Sequence, residues 1–322
     1  LDKTLIFMSD KQKPTESPTT LWYGAKKHFI QADPSVPQPS APTGDQSTGM
    51  KIAIQGEPGS FSHEAAIKLV EDAVIAPFSL SADAFAALAN GAVDAAVVPI
   101  ENSLAGSVSE HFDLLLAHDV RVEREALLRI RHNLIAISGA SIAHIDRVFS
   151  HPVALAQCRA FLANHPRMEA FAFYDTAGSV KQLVELRDRH AAAIASEAAA
   201  RHYGAQILVA GIEDNPENFT RFFLVKRTRD LVVDPKSNKI SIAFSVENRP
   251  GSLVSALSEL STIGTNLTKI ESRPVHGKPW EYIFYVDCQI HSTEEGTRAV
   301  NALKAHCSMV KELGRYAEAR QP

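Results

Sequence analysis

From Met50 onward, short apolar runs alternate with stretches of helical spacing. Lys51–Gln55, Val74–Pro77 and Ala95–Ile100 read as strands. Between them, His63–Glu71 and Ser81–Asn90 read as helices, the second with Phe85, Leu88 and Ala89 on one side and Gly91 as its stop. Val108, Phe112, Leu115 and Leu116 mark a third helix. Strands alternating with helices of about ten residues predict a parallel sheet. Val120–Ile137 breaks this rhythm, and its alternating Arg- and Glu-rich pattern predicts paired or crossing strands. The α/β rhythm then resumes: strand Arg147–Ser150, helix Pro152–Asn164, strand Glu169–Tyr174, helix Ala177–Leu186, strand Ala191–Ala195, helix Glu197–Tyr203. Ile207–Ile212 and Phe219–Lys226 finish the section. Two α/β sets around a crossing segment predict two lobes with a cleft between them, the last strands returning to the first lobe.

The polar stretch Asp230–Asn238 reads as a linker. Beyond it, Ile240, Ile242, Phe244 and Val246 alternate with a strand's period, and Leu253, Leu257, Leu260 and Ile263 follow a helical face. Asn266–Val275 and Trp280–Ile290 predict a hairpin around Gly277. Helix Glu294–Cys307 and strand Met309–Tyr316 complete a βαββαβ order, the ferredoxin-like plan. At the other end, residues 1–49 are rich in Pro, Ser and Thr and show no recurring apolar face, so they read as a dispensable extension. Leu5–Met8 is too short for a signal-peptide core, and the absence of Arg there does not suit a transit peptide.

Composition narrows the function. Lys plus Arg number 33 against 37 Asp plus Glu, a net charge of −4 that offers no electrostatic reason to expect nucleic acid or anionic membrane as a partner. No apolar run reaches the roughly 20 residues that span a bilayer. Three dispersed cysteines point to a reducing cytoplasm rather than a disulfide scaffold. The 13 histidines form no HExxH or HxxxH pair, so neither a metal nor any other cofactor is expected.

The candidate chemistry lies at strand ends. Gln55-Gly56-Glu57-Pro58-Gly59-Ser60-Phe61-Ser62-His63 joins a strand to a helix, where free N–H groups bind anions. It lacks the spacing of a P-loop or a dinucleotide fingerprint. An ordinary turn with Ser62 as N-cap is the competing explanation. Pro99-Ile100-Glu101-Asn102-Ser103 ends the third strand, where open α/β sheets bind ligands, unless it merely caps the next helix. Asp175-Thr176-Ala177-Gly178 repeats the geometry in the second lobe. In Asn218-Phe219-Thr220-Arg221-Phe222-Phe223 an Arg interrupts an apolar strand, and it is either a carboxylate clamp or half of a structural salt bridge. His151-Pro152 and Cys158 read as structural; a Cys–His nucleophile has no visible activating environment. In the C-terminal unit, Asn248-Arg249-Pro250-Gly251-Ser252-Leu253-Val254 and Glu271-Ser272-Arg273-Pro274 are candidate binding turns for a small zwitterion, with capped turns as the alternative.

The runs QGEPGSFSHEAA, VPIENSLAGSV, SHPVALAQC, DTAGSV and the stretch AAIASEAAARHYGAQILVAGIEDNPENFTRFFLV resemble the prephenate dehydratase family. Residues 240–316, with NRPGSLV and ESRP, resemble that family's phenylalanine-sensing ACT domain. Ser252 departs from the family's usual Ala, which bears on inhibitor affinity. Nothing upstream resembles the chorismate mutase module of some relatives, so a bifunctional enzyme is not expected. The resemblance implies an α/β two-lobed catalytic domain of the type-2 periplasmic-binding-protein kind plus an α+β ferredoxin-like ACT domain. The catalytic domain would span 50–230, with lobe 1 about 50–127 and 213–230 and lobe 2 about 128–212; the ACT domain would span 239–316.

It also implies a carbon–oxygen lyase that converts prephenate to phenylpyruvate, water and carbon dioxide, in a cytoplasmic homo-oligomer joined through ACT domains. L-Phenylalanine would inhibit at Asn248–Val254 and Glu271–Pro274, between two subunits. Thr220, Arg221 and Phe222 fall on the family's catalytic motif. Ser60, Phe61, Ser62, Glu101, Asn102, Ser103, Thr176, Ala177, Gly178 and Asn218 are expected to bind substrate. Prephenate is a dianion, and with a net charge of −4 its affinity must come from local donors. Thr220 is expected to donate a hydrogen bond to the departing oxygen, with Phe61, Phe222 and Phe223 as candidate apolar walls. Arogenate dehydratase, and more distantly a non-catalytic amino-acid-binding protein, are the alternatives.

Overall fold

Lys51–Gln55 (β1), Val74–Phe78 (β2) and Ala95–Asn102 (β3) pair in parallel, β1 between the other two. Phe61–Leu69 (α1) and Ser81–Asn90 (α2) are the crossovers. The chain is described from a computed structural model that covers residues 49–275, 277–278 and 280–320; the expected extension over 1–49 lies almost wholly outside the described residues. Helix α1 begins two residues earlier than the pattern predicts, because Ser60 rather than Ser62 is its N-cap and accepts from the His63 N–H at 3.4 Å. After β3, a two-residue strand Gly106–Ser107 (β4) folds back on Glu101 and Asn102 before Ser109–Ala117 (α3) begins. Asn102 and Ser103 are therefore not the cap of α3.

Val120–Arg129 (β5) stays in the first sheet, and Asn133–Ala136 (β6) opens a second one, so the chain crosses between lobes at 130–132. The second sheet, in the order β10-β6-β9-β7-β8, also contains Arg147–Ser150 (β7), Glu169–Ala172 (β8), Ala191–Ala195 (β9) and Gln206–Val209 (β10). Thr176–Leu186 (α6) and Glu197–Tyr203 (α7) pack on one face of it. The expected helix Pro152–Asn164 is instead two short helices, Pro152–Ala156 (α4) and Arg159–Ala163 (α5). The Asp214 carboxylate breaks it by accepting from the Arg159 and Ala160 N–H groups, each at 3.0 Å. Phe219–Arg227 (β11) returns to the first sheet and lies antiparallel between β3 and β5. The sheet is thus mixed rather than purely parallel, and the two-lobed α/β plan expected from the resemblance is present.

Lys239–Ser245 (β12), Ser252–Thr262 (α8), Asn266–Pro274 (β13), Tyr282–Gln289 (β14), Thr293–Lys304 (α9) and Met309–Tyr316 (β15) form the βαββαβ unit. This unit does not stand apart. Its antiparallel sheet continues into the first lobe in the order β13-β14-β12-β15-β5-β11-β3-β1-β2. The junction is the parallel pairing of Gly314 in β15 with Val122 in β5. A side chain at Gly314 would overlap the Val122 backbone, so the join requires glycine. One core crosses the boundary: Phe85, Leu115 and Phe223 of the first lobe pack with Ala243, Tyr285, Leu313 and Tyr316 of the C-terminal unit. The Phe223 and Tyr316 rings lie 5.5 Å apart, and burying a side chain such as Phe223 contributes about 1.5–3 kcal/mol.

Candidate active site

A cavity of about 580 Å³ lies where the two lobes meet, at the carboxyl ends of β1 and β3. The β1–α1 turn forms one wall, and its two glycines allow the lobes to close on each other. Gly56 (φ +94°) faces Asp175, whose Oδ2 would be 2.6 Å from a Cβ placed there. Gly59 (φ +88°) faces Ala199, whose Cα would be 2.7 Å from one. Contacts across the gap hold this arrangement. Ser196 donates to the Gly59 carbonyl at 2.7 Å, Tyr174 donates to Glu57 at 3.0 Å, and Lys181 pairs with Glu57 at 3.1 Å.

Thr220 and Asn102 meet at the floor of the cavity as direct cross-strand partners of β11 and β3. The Asn102 amide Nδ2 donates to Thr220 Oγ1 at 2.9 Å and to Asn218 Oδ1 at 2.7 Å. Its Oδ1 accepts from the Leu104 and Ala105 N–H groups. Thr220 therefore acts as an acceptor toward the protein, which leaves its hydroxyl proton free to donate into the cavity. A bulge aims Asn102. Between Phe222↔Pro99 and Arg221↔Glu101 the register skips one residue of β3, so Ile100 and Glu101 both turn to the far face and Asn102 swings forward.

Several expected residues stand on this cavity: Ser60, Phe61, Ser62, Asn102, Thr176, Thr220 and Phe222 all line it. Others do not. Arg221, read as a possible carboxylate clamp and catalytic residue, points through the sheet away from the cavity. Its Nε donates to Glu125 at 2.6 Å, Nη1 to Asp287 at 2.5 Å and Nη2 to the Tyr316 hydroxyl at 2.9 Å. Strand alternation dictates this, since Thr220 faces forward and its neighbour must face back. Phe223 follows Arg221 to the rear, where the guanidinium lies 4.6 Å from its ring centroid.

Glu101 pairs with Lys269 at 2.9 Å on the same far side. Ser103 Oγ is occupied by the backbone of Glu217 and Phe219. Ala177 and Gly178 are buried inside α6, where Asp175 caps the helix by accepting from the Gly178 N–H at 2.7 Å and a Cβ on Gly178 would strike the Tyr174 ring. Asn218 is buried behind Asn102 and supports it rather than facing the cavity.

Comparison with known proteins agrees with this geometry. The profile of the family described as "PDT: Prephenate dehydratase" matches residues 52–230. The chain belongs to the prephenate dehydratase family. It is similar to "Arogenate dehydratase/prephenate dehydratase 2, chloroplastic" of Arabidopsis thaliana, 37% identical over 305 residues, covering 90% of this chain and 80% of that protein. Among solved structures it is similar to the prephenate dehydratase of Arthrobacter aurescens in complex with L-Phe, with TM-score 0.77, 32% identity and coverage of 84% of this chain and 91% of that one. It is also similar to GqqA, described as a novel type of quorum quenching acylase, with TM-score 0.76, 31% identity and coverage of 83% and 98%.

Within this prephenate dehydratase fold, the residue most clearly missed by sequence reasoning is Gln157. It follows α4 at the helix break and reaches across the lobes. Its Oε1 accepts from Asn218 Nδ2 at 3.0 Å and meets His132 Nε2 at 2.8 Å, while its Nε2 lies 3.4 Å from Asn102 Oδ1. His132 and His151 also line the cavity, and burial holds both imidazoles below their usual pKa, so they are neutral near pH 7. Glu57 and Asp175 are the carboxylates on the wall, and burial pushes Asp175 up. Among the described residues no Lys or Arg lines the cavity. Cys158 is buried and its thiol is pushed up to about 12, which removes it as a nucleophile. Among the described residues no cluster of His, Cys, Asp and Glu could hold a metal ion, and no helix is long and apolar enough to cross a membrane.

The two expected effector segments are apart within one chain. Arg249, Pro250, Gly251 and Ser252 border a cavity of about 390 Å³ with Ala305–Ser308, and Ser252 Oγ is buried there without a partner. Asn248 and Val254 are exposed, and Leu253 packs against the unit's own core. Glu271 and Arg273 of β13 instead engage the first lobe: Glu271 accepts from Ser107 at 2.5 Å, and Arg273 pairs with Asp113. Ser272 and Pro274 are exposed beside them.

Proposed function

We propose that this chain is a dehydratase of prephenate, expelling carbon dioxide and hydroxide from the ring to leave phenylpyruvate. The observation that carries the proposal is the Asn102–Thr220 pair. An oriented hydroxyl whose lone pair is occupied by an amide has its proton directed at the cavity, where a departing oxygen would accept it. A neutral Thr is too weak an acid to work by proton transfer alone, so the developing charge is stabilised by fixed neighbours: the Asn102 amide, the N–H groups at the start of α1, and the Thr176 hydroxyl. Carboxylate loss is helped by the apolar wall of Phe61 and Phe222. Substrate-binding roles accordingly go to Ser60, Phe61, Ser62, Asn102 and Thr176, and the catalytic role to Thr220.

Residues 50–230 are the catalytic part in this reading and 239–316 are an ACT regulatory unit. L-Phenylalanine would bind between the Asn248–Val254 loop and the Glu271–Pro274 segment of two copies, and a homo-oligomer is required for that. The βαββαβ order supports this, as does the L-Phe named in the complex of the Arthrobacter aurescens enzyme. Free, largely buried thiols suit a reducing cytoplasm.

Arogenate is the second reading, favoured by Glu57 and Asp175 on the cavity wall, whose carboxylates suit a substrate ammonium. An acylase activity of the kind named for GqqA finds less support. A hydroxyl–imidazole bond is present between Ser81 and His111 at 2.7 Å, but both residues are sealed in the core. The deciding test incubates the purified full chain with prephenate and, separately, with arogenate, reading phenylpyruvate absorbance and phenylalanine release, with and without added phenylalanine. Phenylpyruvate from prephenate, suppressed by phenylalanine, is expected; turnover of neither substrate overturns the reading.

A further inference from the structure

The cross-strand pair Thr220↔Asn102 faces the cavity, and the pair beside it, Arg221↔Glu101, faces the C-terminal unit. Both rearward residues are gripped from that unit. Glu101 is the more telling, because it belongs to the bulge that turns Asn102 forward. A bulge leaves its ladder locally disrupted, so its shape depends on what its side chains touch. Here the Lys269 ammonium of β13 takes Glu101 Oε1 at 2.9 Å and Ser107 Oγ at 3.1 Å. Ser107 lies on the cavity wall and pairs with Glu101 across β4 and β3. Glu271 completes the cluster, accepting from Ser107 and standing 3.5 Å from Lys269. The Lys269 side chain is 13% exposed and lies 5.9 Å from the centroid of the Phe112 ring, so solvent screens this pair less than an ordinary surface one.

We propose that Lys269 is a positioning residue for the dehydration: by holding Glu101 and Ser107 it fixes the bulge that aims Asn102 at Thr220, so a side chain of the C-terminal unit shapes the catalytic floor. The inference rests on the function proposed above. It also gives the C-terminal unit a mechanical route to the chemistry, because β13 carries Lys269, Glu271 and Arg273 on successive alternate positions. Displacing that strand releases Asn102 and the Ser107 wall, although neither Lys269 nor Glu271 lines the cavity itself.

The test compares the full-length wild type with Lys269→Met, which keeps length and removes charge, and Lys269→Arg, which restores the charge. Prephenate and arogenate are both assayed, and urea midpoints are recorded in parallel. In Lys269→Met, kcat is expected to fall about 10- to 100-fold while KM changes little, as for a small misplacement of a catalytic group. Lys269→Arg is expected to recover most of the loss. A folded Lys269→Met with wild-type kcat overturns the inference, as does a rise in KM alone or a loss that Lys269→Arg does not recover. Should Lys269→Met fail to fold, Glu101→Gln tests the same contact from the other side, and unchanged kcat there is equally fatal. A wild type that converts neither substrate overturns the functional reading and removes this inference with it.

Discussion

The two faces of strand β11 differ sharply. Its forward face, Thr220 and Phe222, meets a cavity with amide and hydroxyl donors and no Lys or Arg among the described lining residues, and the Thr220 hydroxyl proton is left uncommitted. Its rear face, Arg221 and Phe223, meets a saturated cluster in which Glu125 is shared by Arg221 and Lys239, and Asp287 by Arg221 and Ser241. Adjacent residues of one motif therefore work in different currencies. The forward residue faces the cavity, and the rear residue fixes the strand against a second structural unit. A guanidinium held on each of its three nitrogens behind the sheet is out of reach of a substrate carboxylate in the cavity.

The comparison can be broken most severely at Arg221. Arg221→Met leaves Glu125 and Asp287 as buried carboxylates without their shared partner, and a loss of about 3–5 kcal/mol in unfolding free energy is expected by urea titration. A substrate clamp would instead show near-normal stability with weakened binding. On the forward face, Thr220→Val is expected to lower kcat about 10²–10³-fold at unchanged stability, while Thr220→Ser retains measurable turnover. Equal activity of the two variants would remove the hydroxyl from the mechanism.

Gln157→Leu cuts the link between Asn102, Asn218 and His132 across the lobes. Stranding those buried groups is expected to cost about 1–3 kcal/mol of unfolding free energy by urea titration, with a fall in kcat/KM as Asn102 loses its support. A wild-type value would show that the bridge is incidental.

The smallest effect concerns pH. His111 is fully buried beneath β3, with Nδ1 on the Pro99 carbonyl and Nε2 on Ser81. Burial holds its pKa below the ordinary 6.5, against smaller opposing effects of the Pro99 carbonyl and Glu110. Its contribution to stability is therefore complete above about pH 6.5 and is lost as pH falls toward its lower folded value, because the unfolded chain takes up the proton first. Between pH 7.5 and 5 the urea midpoint of wild type is expected to fall further than that of His111→Gln. Parallel curves would refute the assignment.

Much of the architecture was legible because it rests on periodicity. The alternation through Ala195, the crossing near Val120–Ile137 and the βαββαβ order all follow from which positions are apolar. The strand-end turns at Ser60–Ser62, Asn102 and Thr176 were legible for the same reason, since strand ends in open α/β sheets face the cleft. What stayed hidden depends on contacts between distant residues. Pro152–Asn164 has a continuous helical pattern, and its break at Gln157 comes from Asp214, a residue of the crossover before β11. The bulge at Ile100–Glu101 leaves no local mark, so the side on which Glu101 would emerge was not readable. The direction of Arg221 was an even choice until strand parity decided it. The pairing of Gly314 with Val122, which merges two sheets into one, has no signature beyond a glycine in a strand.

That merger has a practical consequence for cutting the chain after Asn238. Strand β5 would lose its neighbour and present an open flank of backbone donors and acceptors, a template for sticking to other molecules. The fragment would also keep Arg221 and Glu125 without Asp287, Tyr316 and Lys239. The proposed phenylalanine response is therefore better probed by point changes in the Asn248–Val254 loop than by amputation.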